Sequence, residues 1–135
     1  MRAEIVRVSS PEKHEVPEAN PMIVGVPREK QEIEHRAGLS PFAVSRLSSL
    51  GHAVLVEQGA GAAAHFRDAD YQNAGARIVY SGEEILRRSD IVCGVERPEL
   101  DDVELLQERA VVCGFMHLAV AGPDYINRLS DREIT

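Results

Sequence analysis

Five short apolar runs, separated by segments that carry helix-start signals, constrain this chain more than any other feature of its sequence. The runs are MIVGV (22–26), AVLVE (53–57), ARIVY (76–80), DIVCGV (90–95) and AVVCGF (110–115). Each is shorter than an ordinary helix and rich in Val and Ile, so each reads as a strand buried on both faces. Between them, Ser40-Pro41 supplies an N-cap and a proline at the first helical position, and Gly51 is placed to end that helix after Leu50. Phe42, Val44, Leu47 and Leu50 offer its buried stripe. Asp68 is expected to cap a short helix ending at Gly75, and Ser81 with Glu84 to form a capping box for a helix through Arg88. Asp101 or Asp102 opens a helix through Glu108, Pro123 starts one through Leu129, and the final REIT begins a further strand. Strands alternating with helices predict an α/β fold: a parallel sheet flanked by helices.

The chain has 135 residues, the size of one domain. Residues 1–21 mix charges with three prolines and read as a flexible extension, leaving 22–135 as the domain. Aromatics are 4% with no Trp, so the core must come from Val, Ile, Leu and Ala. A formal net charge of -7 repels phosphate backbones and argues against a nucleic-acid partner. No run approaches the ~20 apolar residues of a membrane span, and no secretory signal opens the chain, so the cytoplasm is the expected location. Cys93 and Cys113 lie in apolar runs without CxxC spacing and read as buried reduced thiols, adjacent if their strands are neighbours.

Ligands of open α/β sheets bind beyond the carboxyl ends of the strands. That rule selects three polar loops: PREKQEIEHR after Val26, ERP after Val95 and MHLA after Phe115. The same loops carry a resemblance. PREKQEIEHRAGLSP is similar to the opening motif of the alanine dehydrogenase/pyridine nucleotide transhydrogenase family. LGHAVLVEQGAGAAAHFRDADYQNAGARIV, SDIVCGVERP and FMHLA follow in the family's order, so the resemblance spans residues 22–135.

The resemblance implies the substrate-side domain of an NAD- or NADP-dependent oxidoreductase that interconverts an amino acid and a keto acid. The nucleotide would be held by a second domain, in cis or in trans, and not by this one. No GxGxxG follows a strand here, and Gly59-Ala60-Gly61 reads as a structural turn. Arg36 matches the arginine that grips the substrate carboxylate, a role suited to a planar guanidinium fork. On residue type alone it would be a surface arginine at a helix entry. His117 matches the histidine of the family's His-Leu-Ala motif and is the candidate catalytic group, placed to bond a keto oxygen or move a proton. Glu29 and Glu34 flank the loop before Arg36. Two readings of them stand: an ion pair from Glu29 that orients Arg36, or solvated carboxylates.

One position departs from the family. Alanine dehydrogenases carry a substrate-contacting lysine in a Val-Lys-Glu-Pro motif, and here the motif reads Val95-Glu96-Arg97-Pro98. At ~4 Å and an effective dielectric of ~20, one charge pair is worth roughly 4 kcal/mol, so an anion there repels a carboxylate by a similar amount. Three explanations follow: Arg97 supplies the cation, Glu96 binds a cationic group of a different substrate such as a diamino acid, or catalysis has lapsed. Transhydrogenase subunits also lack this lysine. A transhydrogenase fragment, a relative of the opine and lysine-pathway dehydrogenases, and a non-catalytic binding or interaction module therefore stand as alternatives. Weak homo-oligomerisation is the expectation for this segment alone.

Overall fold

A computed structural model describes residues 20–135, so the extension expected over 1–21 lies, up to residue 19, outside the described residues. The five apolar runs form five parallel strands: β1 (Ile23–Val26), β2 (Ala53–Glu57), β3 (Arg77–Val79), β4 (Ile91–Glu96) and β5 (Val111–Phe115), in the order β3-β2-β1-β4-β5. The chain winds outward from β1 through β2 to β3, then crosses to β4 on the other side. The order reverses between β1 and β4, which makes their carboxyl ends the topological switch point.

Helices cover both faces. On one, α1 (Pro41–Ser49) and α2 (Asp68–Asn73) bury Val44 and Tyr71 against Val24, Val26, Val54 and Val56. On the other, α3 (Gly82–Arg88) places Ile85 on Leu55 and Val79. Beside it, α4 (Leu100–Val103) and α5 (Pro123–Asp131) pack Val103, Tyr125 and Leu129 on Val92 and Val112. Each fully buried Val or Leu side chain stabilises the fold by about 1.5–3 kcal/mol.

The first face is not covered throughout. No residue of β5 belongs to the cluster under α1 and α2, and Cys113 and Phe115 are exposed there. Cys113 therefore departs from the buried state expected of it. Cys93, one strand further in, is half-buried.

Several local expectations change in detail. Ser40 caps α1 as expected, its hydroxyl accepting from the Ala43 N–H at 3.3 Å, and Gly51 follows the helix with φ +88°. Val44 is fully buried and Leu47 partly so, but Phe42 is 76% and Leu50 63% exposed. At 100° per residue Phe42 lies almost opposite Val44, and Leu50 falls 120° away from it. Asp68 is the first residue of α2 rather than its cap. Its carboxylate accepts from the Gly59 N–H, while Asp70 accepts from the Arg67 N–H at the helix start. Ser81 makes no side-chain cap, and the Glu84 carboxylate that would complete the capping box is engaged in an ion pair with Arg88 one turn on. The helix expected through Glu108 stops at Val103, and the turns that follow still bury Leu106 beside it. At the other end of the chain, Thr135 donates to the Ala110 carbonyl (3.0 Å) and accepts from the Val112 N–H (2.7 Å). These two bonds lay Thr135 along the outer edge of β5 in the pattern of a parallel bridge, but the strand expected over REIT is not formed.

No helix among the described residues is long and apolar enough to cross a membrane.

Candidate functional site

Three loops meet beyond the carboxyl ends of β1, β4 and β5. The loop after β1 runs back across β4. A Cβ on Gly38 would lie 2.0 Å from the Cys93 carbonyl oxygen, so only glycine permits this approach. That contact sets Arg36, two residues earlier, above β5. Its guanidinium lies 5.4 Å from the centroid of the Phe115 ring. Such a cation–π contact is worth about 0.5–1 kcal/mol at an exposed site.

The His117 ring stacks on the same Phe115, at 6.2 Å between centroids and 26° between planes. His117 holds φ +46°, ψ +40°, a left-handed conformation uncommon for residues with a Cβ and concentrated at functional sites. Its Nε2 lies 3.8 Å from Oε2 of Glu96, an ion pair only when the imidazole is protonated.

Glu96 owes its position to a break in the ladder. Cys93 pairs with Cys113, but Glu96 pairs with Phe115, so β4 carries one more residue than β5 over this stretch. Such a bulge re-aims side chains and is common beside active sites. Glu29 secures it: its carboxylate accepts from the Val95 N–H at 2.6 Å and from the Glu96 N–H at 3.3 Å.

Glu29 is thus bound to the backbone of β4 and not to Arg36. The partner of Arg36 is Glu34, which accepts from Nε (2.9 Å), Nη2 (2.7 Å) and the Arg36 backbone N–H (2.8 Å). These bonds hold the Glu34 carboxyl well below the usual carboxylate range, at about 2. Conversely, Arg36 is held more firmly protonated, first by the hydrogen bond to Glu34 and further by the charges of Glu34, Glu96 and Glu29.

Arg97 sits apart from this group. Its guanidinium lies 4.8 Å from the Tyr125 ring centroid, with Nη1 3.5 Å from the Met116 carbonyl, and the Tyr125 hydroxyl in turn donates to the Pro98 carbonyl at 2.9 Å. The structure therefore brings Arg36, Glu96 and His117 together around Phe115 and leaves Arg97 on α5. Phe115 was not singled out from the sequence, although an aromatic two residues before His117 lies on one strand face with Cys113, a placement that strand alternation exposes.

Below the same strand ends lies a groove of about 730 Å³, floored by Val92 and Val112 and edged by Glu29, Glu57, Glu96 and Asp102. Its volume falls within the range of small-molecule sites. Lys30, on its rim, is taken up by Glu99 (3.1 Å) and Asp102 (2.6 Å).

The residues here do not fit a dinucleotide. A cradle for a pyrophosphate needs glycine N–H groups free at the first strand-to-helix turn. The Gly59 N–H instead donates to Asp68 at 2.9 Å, a Cβ on Gly61 would meet the Tyr71 ring at 2.6 Å, and Gly38 is pressed on β4. All three serve internal packing.

The fold is an open α/β domain, and an arginine, a histidine and a carboxylate cluster at the carboxyl ends of its strands. Residues 25–135 match the family described as alanine dehydrogenase/PNT, N-terminal domain, and the chain belongs to that family. It is 36% identical over 114 residues to the alanine dehydrogenase of Bacillus subtilis, and 32% identical over 114 residues to that of Methanococcus maripaludis. Each alignment covers 84% of this chain and 30% of the relative, so the chain spans about a third of the proteins it matches. Among solved structures, an L-alanine dehydrogenase superposes with a TM-score of 0.78 at 36% identity, covering 84% of this chain and 31% of the other. The transhydrogenase of Sinorhizobium meliloti does so with a TM-score of 0.75 at 29% identity, covering 84% and 32%.

Proposed function

We propose that this chain is the substrate-side domain of an alanine dehydrogenase-like oxidoreductase that interconverts an amino acid and a keto acid. The observation that carries this reading is the convergence of Arg36 and His117 on Phe115, at the carboxyl ends of the strands. In this reading Arg36 binds the substrate carboxylate in its planar fork, exchanging Glu34 for the ligand. Phe115 excludes water beneath the fork. His117 bonds the keto oxygen and moves the proton that amine–ketone interconversion requires. Glu96 attracts the ammonium of the amino acid and disfavours a second carboxylate. The nicotinamide nucleotide, NAD or NADP, would be brought by a separate nucleotide-binding domain in cis or in trans.

A second reading draws support from Glu34 and Glu96. One edge of the Arg36 fork is already taken by two bonds to Glu34, and the family's lysine position is an anion. A non-catalytic binding or interaction module, or a transhydrogenase-like fragment, would use the same fold with this site closed.

Calorimetric titration of the chain with pyruvate, L-alanine and L-ornithine, repeated with Arg36→Ala, separates the two. Binding lost in the variant supports the substrate domain. Binding unchanged by the variant, or no binding even with Glu34 replaced by Gln, overturns it.

A further inference from the structure

Cys93 and Cys113 have no part in the site above, yet the fold sets them face to face. They are register partners on the adjacent parallel strands β4 and β5, the last regular pair before the bulge. Register partners of a sheet point to the same face, on strands about 4.8 Å apart. That spacing falls inside the Cα separation of ordinary disulfides, about 4.4–6.8 Å. The face they share is the one that α1 and α2 leave open over β5: Cys113 is exposed and Cys93 half-buried at the edge of the cluster beneath those helices. Among the described residues no group of three or more His, Cys, Asp or Glu could hold a metal, so no third donor turns the pair into a metal site. We infer that Cys93 and Cys113 are a reversible disulfide site, closed by exchange with a small-molecule disulfide and reopened by a small thiol.

Exposure orders the steps. The Cys113 thiolate attacks one sulfur of the small disulfide, its S–S bond breaks, and the first small thiol leaves with the proton Cys113 gave up. Cys93 then loses its proton and attacks the Cys113 sulfur of the mixed disulfide, expelling the second small thiol, which takes that proton. Two protein thiols are oxidised and one small disulfide is reduced to two thiols. Cys93 suits the second role. Burial first, then the neighbouring Cys113, push its thiol up to about 12, so it is a poor initial nucleophile. In the mixed disulfide Cys113 carries no charge, and that part of the penalty disappears. Closure would tie β4 to β5 immediately before Glu96 and Phe115.

The test is to expose the native chain to oxidised glutathione at neutral pH and weigh it intact. The chain has only two cysteines, so an internal disulfide reads directly as a monomer lighter by two hydrogens. That loss is expected, reversed by dithiothreitol. Cys93→Ser is expected to stop at one glutathione on Cys113, and Cys113→Ser to stay unmodified over the same period. Both variants change a single sulfur to oxygen, and their folding is checked by circular dichroism. A stable glutathione adduct on the unaltered chain, a disulfide-linked dimer, or two thiols that stay free while the urea-unfolded chain oxidises would each overturn the inference.

Discussion

Glu34 occupies the Nε edge of the Arg36 guanidinium, with its carboxylate 2.9 Å from Nε and 2.7 Å from Nη2. The fork that would receive a substrate carboxylate thus already holds one from its own loop. Replacing Glu34 by Gln removes the competing charge. A charge-assisted hydrogen bond is worth about 1.5–3 kcal/mol, so pyruvate binding is expected to strengthen by roughly tenfold. Unchanged or weakened binding in calorimetry would show that Glu34 positions Arg36 rather than blocks it.

The same pair gives a pH dependence. The folded-state pKa of Glu34 is lowered from 4.5 to about 2. A carboxyl with a depressed pKa contributes stability that is fully present above its unfolded value and lost as pH falls through the folded one. The loop over 34–36 is therefore expected to stay closed down to about pH 4.5 and to open progressively toward about pH 2. Titration of the Glu34 side chain by carboxylate NMR checks this. A midpoint near 4.5 would mean that the ion pair does not form in solution.

Glu96→Lys restores a cation where the family's dehydrogenases carry one. With Glu96 beside His117 at 3.8 Å and the field at Arg36 partly its own, reversing this charge is expected to tighten binding of a small acid by roughly tenfold or more. Binding that responds instead only to L-ornithine, and is lost on Glu96→Lys, would assign Glu96 to a cationic substrate group.

Ser89 and Gly25 form a pair whose energetics can be read separately. The Ser89 hydroxyl is fully buried and has no hydrogen-bond partner. Ser89→Ala is expected to stabilise the domain by about 1 kcal/mol in urea unfolding. A Cβ on Gly25 would meet Ser89 Oγ at 2.1 Å and Ile85 Cγ2 at 2.6 Å. Gly25→Ala should then destabilise by about 1–3 kcal/mol. Combining the two substitutions should recover part of that loss, a coupling that a double-mutant cycle measures.

Gly38→Ala tests the placement of the site itself. The contact it would make is with main chain, the Cys93 carbonyl at 2.0 Å, which cannot move aside without disturbing β4. Loss of acid binding out of proportion to the loss of stability is the expected result, because Arg36 is carried on that loop. A variant that binds as before would show that Arg36 finds its place independently of Gly38.

What was legible in the sequence is what depends on neighbours along the chain. Each of the five strands was marked by its own apolar run, and Ser40-Pro41 and Gly51 bounded α1 by local capping. Alternation of strand and helix was enough to make the sheet parallel, because a short link cannot join parallel strands. Arg36 and His117 were found through motifs that are themselves contiguous. Where local signals misled, another partner or the helix geometry had decided: Asp68 turned to Gly59, Glu84 to Arg88, and Phe42 fell on the open side of its helix.

The tertiary structure alone decided the rest, since strand order and register join residues far apart in the chain. Only the crossing from β3 back to β4 puts the Pro27–Arg36 loop over Phe115, and only the bulge after Cys93 sets Glu96 opposite that ring. The choice of Glu34 over Glu29 as the partner of Arg36 follows from Glu29 being claimed by the β4 backbone 66 residues away. Cys93 and Cys113 meet for the same reason: β4 and β5 are neighbours in register, and Cys113 lies where the helices of that face stop short of β5. Sequence determined the elements and the family through local physics. Which side chains surround Arg36 and His117 was decided by which strand ends the sheet brought side by side.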